Sequence, residues 1–343
     1  MIDKTSGDIL SFEKDIEAEF GQNSGRSLGR YRTSHPDFSN KNLGELSNLP
    51  LDTGMPTSGE IKFSDFYQKR LNVVVDMYTT GNANYGLNVY TQRFNQGSSF
   101  QRPVGGFKEF VNKNDWRGGK KIIIHINKIF GSANATAESH VAVDIGDIDN
   151  GNANHWPTAT LFQIDVGGEG LVGGRGGKGG DAGNEETAGE NGGRGTSGMK
   201  IHESYTHVDS EGDTQTFSYE DEISGESRIF GGGGGGGSGS GAEQNDWGDK
   251  NSAGGGGGGG GAGIPAGADG SAPGSGEAGG TNVAPDNEQG GDGGNGGDNA
   301  EAEGGRGGNG GNRNESGENA SGGRSREHGN GEGGEAGERY VFY

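Results

Sequence analysis

The chain has no cysteine, only 8 prolines, and no apolar run approaching the roughly 18 residues that cross a bilayer as a helix. Missing thiols exclude disulfides and thiolate metal sites. Scarce proline excludes collagen, whose Gly-X-Y repeat depends on it. Met1-Ile2-Asp3-Lys4-Thr5 does not begin a charged-then-apolar leader, so export by the usual secretory signal is not expected. No lysine closes a P-loop behind the glycines, and no His-Glu-x-x-His occurs. Carboxylates are plentiful, but no pair sits in an apolar stretch that would shift a pKa for acid catalysis. His140 and His155 lack partners at metal-ligand spacing. The expectation is a protein that is not an enzyme and holds no cofactor or metal.

Positive charge is also short. Lys and Arg number 28 against 49 Asp and Glu, a net of −21. Residues 167–343 hold 30 of the acids and 11 of the bases, a net of −19, which leaves −2 for residues 1–166. Phosphate binding needs the opposite sign, so nucleic acid is excluded as a partner even though Gly-Gly-Arg-Gly recurs at 173–176, 192–195 and 304–307.

What is abundant is glycine, 79 of 343 residues, concentrated after Gly167. Gly173-Gly174-Arg175-Gly176-Gly177-Lys178-Gly179-Gly180-Asp181 repeats with period three, and pure runs occupy 231–237 and 254–261. Three is the period of the polyproline-II helix, neither 3.6 nor 2, and that helix has no internal hydrogen bonds. Its N–H and C=O groups must bond to neighbours or to water. In Gly-Gly-X, every X falls on one edge (Arg175, Lys178, Asp181; Asp292, Asn295, Asp298; Arg306, Asn309, Asn312) and the other two edges stay bare. We expect a stack of such helices, with the pure runs inside and Gly-Gly-X outside. The competing reading is disorder, which a glycine-rich composition also fits. Against it, glycine segments of similar length alternate with polar loops, and the chain closes on Arg339-Tyr340-Val341-Phe342-Tyr343.

Ahead of the glycine, residues 1–45 read as an extended arm with at most one short helix, its face being Ile9, Phe12, Ile16 and Phe20. At 59–67, Ile61 and Phe63 alternate with polar residues, and Ser64 is placed to cap a short helix over 65–70. Residues 71–166 read as a compact β domain with strands at 71–78, 86–94, 121–130, 139–145 and 158–166. Ile122-Ile123-Ile124-His125-Ile126 is apolar on both faces, a central strand with His125 as a core histidine. The last strand, 162–166, runs into Gly167-Gly168 and would template the first glycine helix. Residues 199–230 depart from the glycine text as a hairpin about Ser210-Glu211-Gly212-Asp213. Tyr205, His207, Phe217, Tyr219, Trp247 and Ile264 are large side chains on a body otherwise poor in them. They are candidate binding anchors or, equally, a satellite core.

The stretch Ser58-Gly59-Glu60-Ile61-Lys62-Phe63-Ser64-Asp65-Phe66-Tyr67 resembles a segment near the attachment region of bacteriophage tail-fibre and receptor-binding proteins. With the β region and the looped glycine text behind it, residues 59–343 resemble the glycine-rich adhesins at the tips of T-even-like phage long tail fibres. The resemblance implies a mainly β fold with three parts: an attachment arm over 1–70, a small antiparallel β domain over 71–166, and a polyglycine-II sandwich over 167–343. It implies location in the virion, with Ile61, Phe63, Phe66 and Tyr67 attaching to other tail or fibre proteins. The hairpin and loops 184–191, 242–253, 264–273, 281–289 and 312–321 would meet a host outer-membrane protein or surface glycan, without membrane insertion. The long 199–230 excursion and the acidity depart from that family. Two rivals stay open: a structural virion adaptor without receptor contact, and an ice-binding or matrix protein, for which the mixed Arg, Glu and Asn edges are ill suited.

Overall fold

The computed structural model describes residues 2–21, 26–32, 51–52, 54–77, 84–85, 87–89, 121–132, 141–146, 161–184, 187–201, 204–208, 214–218, 223–225, 228–246, 249–272, 277–279, 289–295, 298–299, 302–303, 305–321 and 330–342. Three four-stranded sheets form its body. The first stacks Val73–Met77, Lys121–Ile126, Leu161–Val166 and Ile223–Ser224. The second stacks Asn84–Tyr85, Ile129–Gly131, Leu171–Gly173 and Ile229–Phe230. The third stacks Leu87–Asn88, Val143–Asp144, Met199–Ile201 and Tyr340–Phe342. Every pairing in these sheets is parallel. The chain visits the sheets in rotation, so the body is a three-faced parallel β-solenoid of four coils.

Like residues stack from coil to coil. Val75, Ile124, Ile164 and Ile223 hold one register on the first face. Phe130, Val172 and Ile229 do so on the second, and Leu87, Val143, Met199 and Tyr340 on the third. Most of these side chains are buried in one core cluster. His125 is buried on the central strand, as its apolar neighbours required. Two expectations need correction. The β region is parallel, not antiparallel, because its strands are joined by long connections rather than hairpins, and β-branched content is the same for both senses. It also does not end at residue 166, since glycine-half strands complete all three sheets.

The N-terminal residues are a cap on the first coil, not an extended arm. Ile16, Phe20, Tyr31 and Phe66 are fully buried and share the core cluster with Val75 and Met77. Phe20 and Phe66 meet edge-on at 5.5 Å, and Tyr31 approaches Phe66 at 5.8 Å. Backbone ties close the cap: Ile2 N–H donates to the Lys69 carbonyl at 2.8 Å, and Leu71 N–H to Glu19 Oε1 at 2.9 Å. The helical stretch is one π turn, Phe12–Glu17, continued by Ala18–Phe20, and Ile9 lies outside it. The expected helix over 65–70 is instead a single 3₁₀ turn, Phe63–Phe66, where Asp65 Oδ2 accepts from Lys62 N–H at 2.6 Å. Ser64 falls inside this turn, one residue past its start, and so does not cap it.

Between the second and third faces, the third and fourth coils are extended by ten segments: 174–183, 188–198, 231–241, 254–264, 265–271, 277–279, 290–295, 305–311, 315–321 and 330–339. They bond sideways with period three. In 231–241, the N–H groups of Gly232, Gly235 and Ser238 donate to the carbonyls of Thr196, Gly193 and Glu190. Those of Gly233, Gly236 and Gly239 donate to Ala262, Gly259 and Gly256, and those of Gly234 and Gly237 to Glu315 and Glu318. The carbonyls of the same run accept from 174–183, 305–311 and 330–339. Six neighbours therefore surround it. Residues 254–264 likewise donate to 174–183, 277–279 and 305–311 and accept from 231–241, 265–271 and 290–295. One arrangement satisfies every adjacency: 188–198, 174–183 and 265–271 in a first layer; 330–339, 231–241, 254–264 and 277–279 in a second; 315–321, 305–311 and 290–295 in a third.

Burial follows the expected edges. Gly231–Gly241 and 255–264 are buried, whereas Lys178, Asp292 and Arg306 point outward. Outer N–H groups without a backbone partner are met by short side chains on the neighbouring segment. Asn309 Oδ1 accepts from Gly293 N–H at 2.9 Å, Asn319 Oδ1 from Gly333 at 2.8 Å, and Asn191 Oδ1 from Glu332 at 2.8 Å. Thr196 Oγ1 does the same for Arg175 N–H at 2.7 Å.

Inside the stack the missing Cβ is a steric requirement. On Gly235 it would overlap the Lys178 carbonyl oxygen, and on Gly258 that of Gly236. Gly235→Ala and Gly258→Ala are each expected to lower stability by about 3 kcal/mol, the upper end of overpacking costs, because rigid backbone is struck. The exposed control Asp292→Ala should stay within about 0.5 kcal/mol in the same denaturant titration.

Asp181 gives a pH test. Lys178 Nζ bonds its Oδ2 at 2.6 Å, and Ser271 N–H and hydroxyl bond its Oδ1 at 2.8 and 2.9 Å. These bonds, the one from Lys178 foremost, hold its carboxyl below the ordinary value. A lowered folded-state pKa stabilises above the unfolded value and loses that contribution as pH falls through the folded one. The stability difference between wild type and Asp181→Ala should therefore be full at pH 6 and shrink steadily below about pH 4.

Candidate functional site

Each segment of the stack reverses the direction of the one before. Residues 174–183 leave the solenoid beside 231–239, since Gly174 bonds Phe230 and Gly183 bonds Gly239. Residues 188–198 return, with Gly198 donating to Glu338 next to the third face. Described segment ends therefore lie together at the end remote from the solenoid: 183–184 with 187–188, 241–242 with 253–254, 271–272 with 277, 295 with 305, and 321 with 330. The other ends, at 264–266, at 279 and 289–290, and at 311–315, lie on the solenoid side, where Gly290 N–H meets Asn312 Oδ1 and Gly231 N–H meets Asn314 Oδ1.

The roots of the free end are pinned by side chains. Asn184 and Thr187 close a turn, Thr187 Oγ1 donating to Asn184 Oδ1 at 2.9 Å. Ser271 is clipped to Asp181, and Asn330 Oδ1 accepts from the Ser240 N–H and hydroxyl, both at 3.1 Å. Ser238 Oγ donates to the Asp181 carbonyl at 2.5 Å. Two small hairpins stand on this base. One pairs Ala242–Asp246 with Asp249–Ala253, the other Asp298–Asn299 with Ala302–Glu303, and they lie side by side. The arrangement presents two hairpins and the roots of the other connections on a base whose backbone bonds are already made. Among the described residues no His, Asp or Glu cluster could hold a metal, and no helix is long and apolar enough to cross a membrane.

The anchors chosen from sequence do not meet there. Tyr205, His207 and Phe217 belong to the expected hairpin, Ser204–Val208 with Thr214–Ser218, where Tyr205 stands opposite Phe217 and His207 opposite Gln215. That hairpin is inserted between the strands Met199–Ile201 and Ile223–Ser224, so it is rooted on the solenoid. Tyr219 and Trp247 lie outside the described residues, as do His140 and His155. Ile264 is corrected outright. At 1 % exposure it packs over Gly131 and Gly173, and its carbonyl accepts from Ser132 N–H, so it is a seam between solenoid and stack. Of the receptor-facing loops, 242–253 and the start of 184–191 reach the free end. In contrast, 188–191 and 315–321 are segments of the stack itself, and 264–266 and 312–314 face the solenoid.

Among the attachment candidates, Ile61 and Phe66 are core residues of the cap, and Tyr67 is half-buried with its hydroxyl on the Asp8 carbonyl at 2.7 Å. Phe63 is 43 % exposed. Its ring lies 6.3 Å from that of Phe12, and a second exposed apolar residue, missed from sequence, is Ile9 at 89 % exposure. Helical spacing had assigned Ile9 to a buried face, and only the late start of the turn at Phe12 leaves it outside. On sequence no Gly-x-Ser-x-Gly elbow was expected, yet Gly25-Arg26-Ser27-Leu28-Gly29 spells that pattern. That elbow needs a strand-to-helix turn, and Ser27 instead leads into a 3₁₀ turn, Leu28–Tyr31, with no strand described before it.

No known protein family matches the chain, and no curated protein matches it. Among solved structures the chain is similar to the crystal structure of the gp37-gp38 adhesin tip complex of the bacteriophage S16 long tail fiber. The two share 16 % identity over 88 % of this chain and 87 % of that chain, with a TM-score of 0.30. A superposition of that quality does not establish a shared fold.

Proposed function

We propose that this protein is a tail-fibre-tip adhesin of a bacteriophage virion, attached through its N-terminal cap and recognising a host-cell surface with the free end of its glycine stack. The observation that carries the proposal is the gathering of the described segment ends, with the hairpins Ala242–Asp246/Asp249–Ala253 and Asp298–Asn299/Ala302–Glu303, at one end of a laterally bonded stack. The likeness of the 58–67 segment to phage attachment regions supports the virion assignment. The three-residue bonding period supports reading the ten segments as polyglycine-II helices. Loops held this way lose little entropy on binding, which is where affinity is usually lost.

Replacing 243–252 and 297–303 by Gly-Gly turns should lower adsorption of virions to host cells at least tenfold while leaving the amount of this protein per particle unchanged. Undiminished adsorption by the double replacement would overturn the assignment of the free end. Attachment is tested separately. Ile9→Ser with Phe63→Ser removes the two exposed large apolar residues among the described residues of the cap without touching its core. Particles should then carry less of the protein, with the melting temperature of the isolated chain unchanged.

A further inference from the structure

We infer that the solenoid is the template on which the glycine stack forms, so that the stack exists only while the solenoid is folded and the converse does not hold. The first ground is what the stack is made of. Among the described residues of 174–339, outside the strands and the hairpin between them, the buried hydrophobic residues are Ala262 and Ile264, both at the solenoid end. Burial of apolar surface is the main force that drives a chain to collapse, and the body of the stack has almost none to offer. Ordering glycine costs more backbone entropy than ordering any other residue. Its hydrogen bonds stabilise it only when neighbours are already in place on several sides, as the six around 231–241 are. A first pair of glycine segments would therefore not persist alone.

The second ground is where the stack joins the solenoid. Leu171–Gly173 and Ile229–Phe230 pair in register, and the next bond, Gly174 N–H to the Phe230 carbonyl at 2.9 Å, belongs to the stack. On the third face, Met199–Ile201 pairs with Tyr340–Phe342, and Gly198 N–H to the Glu338 carbonyl at 2.9 Å continues that ladder outward. The second coil reaches up as well, with Ser132 N–H on the Ile264 carbonyl at 3.0 Å and Ala142 N–H on the Gly198 carbonyl at 3.0 Å. Two coils thus set the spacing, direction and register of 174–183, 188–198, 231–241 and 330–339 before any glycine bonds another. The remaining segments then add to a preformed surface, each closing a loop between positions already fixed. The solenoid, by contrast, carries its own apolar columns.

The inference is independent of what the free end binds. It is tested on the full chain by native-state hydrogen exchange, following amides of 232–239 and 255–262 for the stack against 122–126 and 162–166 for the solenoid as denaturant is raised. Stack amides should open at lower denaturant than solenoid amides. Ile124→Val, a mild change in a buried column that the intact and the stack-open states share, should speed exchange at 122–126 and 162–166 about fivefold and stack exchange less than twofold. Gly235→Ala should speed stack exchange at least tenfold, and its solenoid amides should still be protected at denaturant concentrations where the stack has opened. Stack amides that stay protected while 122–126 exchange would overturn the inference. So would a solenoid that opens at the same denaturant concentration as the stack in wild type and in Gly235→Ala.

Discussion

A peptide group buried without a hydrogen-bond partner costs roughly 1–3 kcal/mol, and removing the side chain is what lets this chain avoid that penalty without helix or sheet in its distal half. Where no residue carries a Cβ, backbones approach closely enough for most N–H and C=O groups to find a neighbour, and each segment inside serves six others. Solidity then comes from hydrogen bonds and close backbone contact rather than from apolar side chains. The same requirement explains the composition. Pure glycine fills 231–237 and 255–261, where neighbours lie on all sides, and charged residues of the Gly-Gly-X segments such as Lys178, Asp292 and Arg306 stand where one side faces water. Ser238 and Ser240 interrupt the central run near its free end, and there their hydroxyls bond Asp181, Glu190 and Asn330.

Much of this was legible in the chain. Period three announced the bare edges, and the alternation of glycine runs with polar text announced stacking rather than disorder. The apolar run 122–126 announced a central strand, and Ser210-Glu211-Gly212-Asp213 announced a hairpin. What stayed hidden has a common cause: pairing partners far apart in sequence. Nothing local in Ile164 tells whether Ile124 runs with it or against it. Nothing in Tyr340-Val341-Phe342 says that these residues complete a sheet begun at Leu87. The N-terminal cap was hidden for a related reason, since Phe20, Tyr31 and Phe66 come from three stretches that each look too polar for a core.

The candidate site was less legible than the fold. Aromatic content drew attention to Tyr205, Phe217 and Ile264, yet aromatics also build cores and seams, and Ile264 is a seam. The better signal was parity. If successive segments reverse, alternate connections share an end, and that set can be written down from the segment boundaries alone. Counting the reversals separates 242–253 from 312–314 without any reference to side-chain type. Conversely, Ile9 shows the limit of periodicity, because a helical face predicts burial only if the helix has begun.

Fold and candidate function meet in the division of labour between the two halves. The solenoid supplies apolar burial and fixes the register, and the stack carries that register outward with almost no apolar side chains of its own. A surface at the end of such a stack inherits rigidity from a core several turns away. Its connections contribute little to that rigidity, because the bonds that hold the segments lie below them, as Gly239 to Gly256 and Gly305 to Ser240 do. Their sequences are therefore free to change so long as the pinning residues at their roots, Asp181, Asn184, Ser271 and Asn330, keep their partners. A binding face built this way separates the residues that specify a partner from the residues that keep the protein folded.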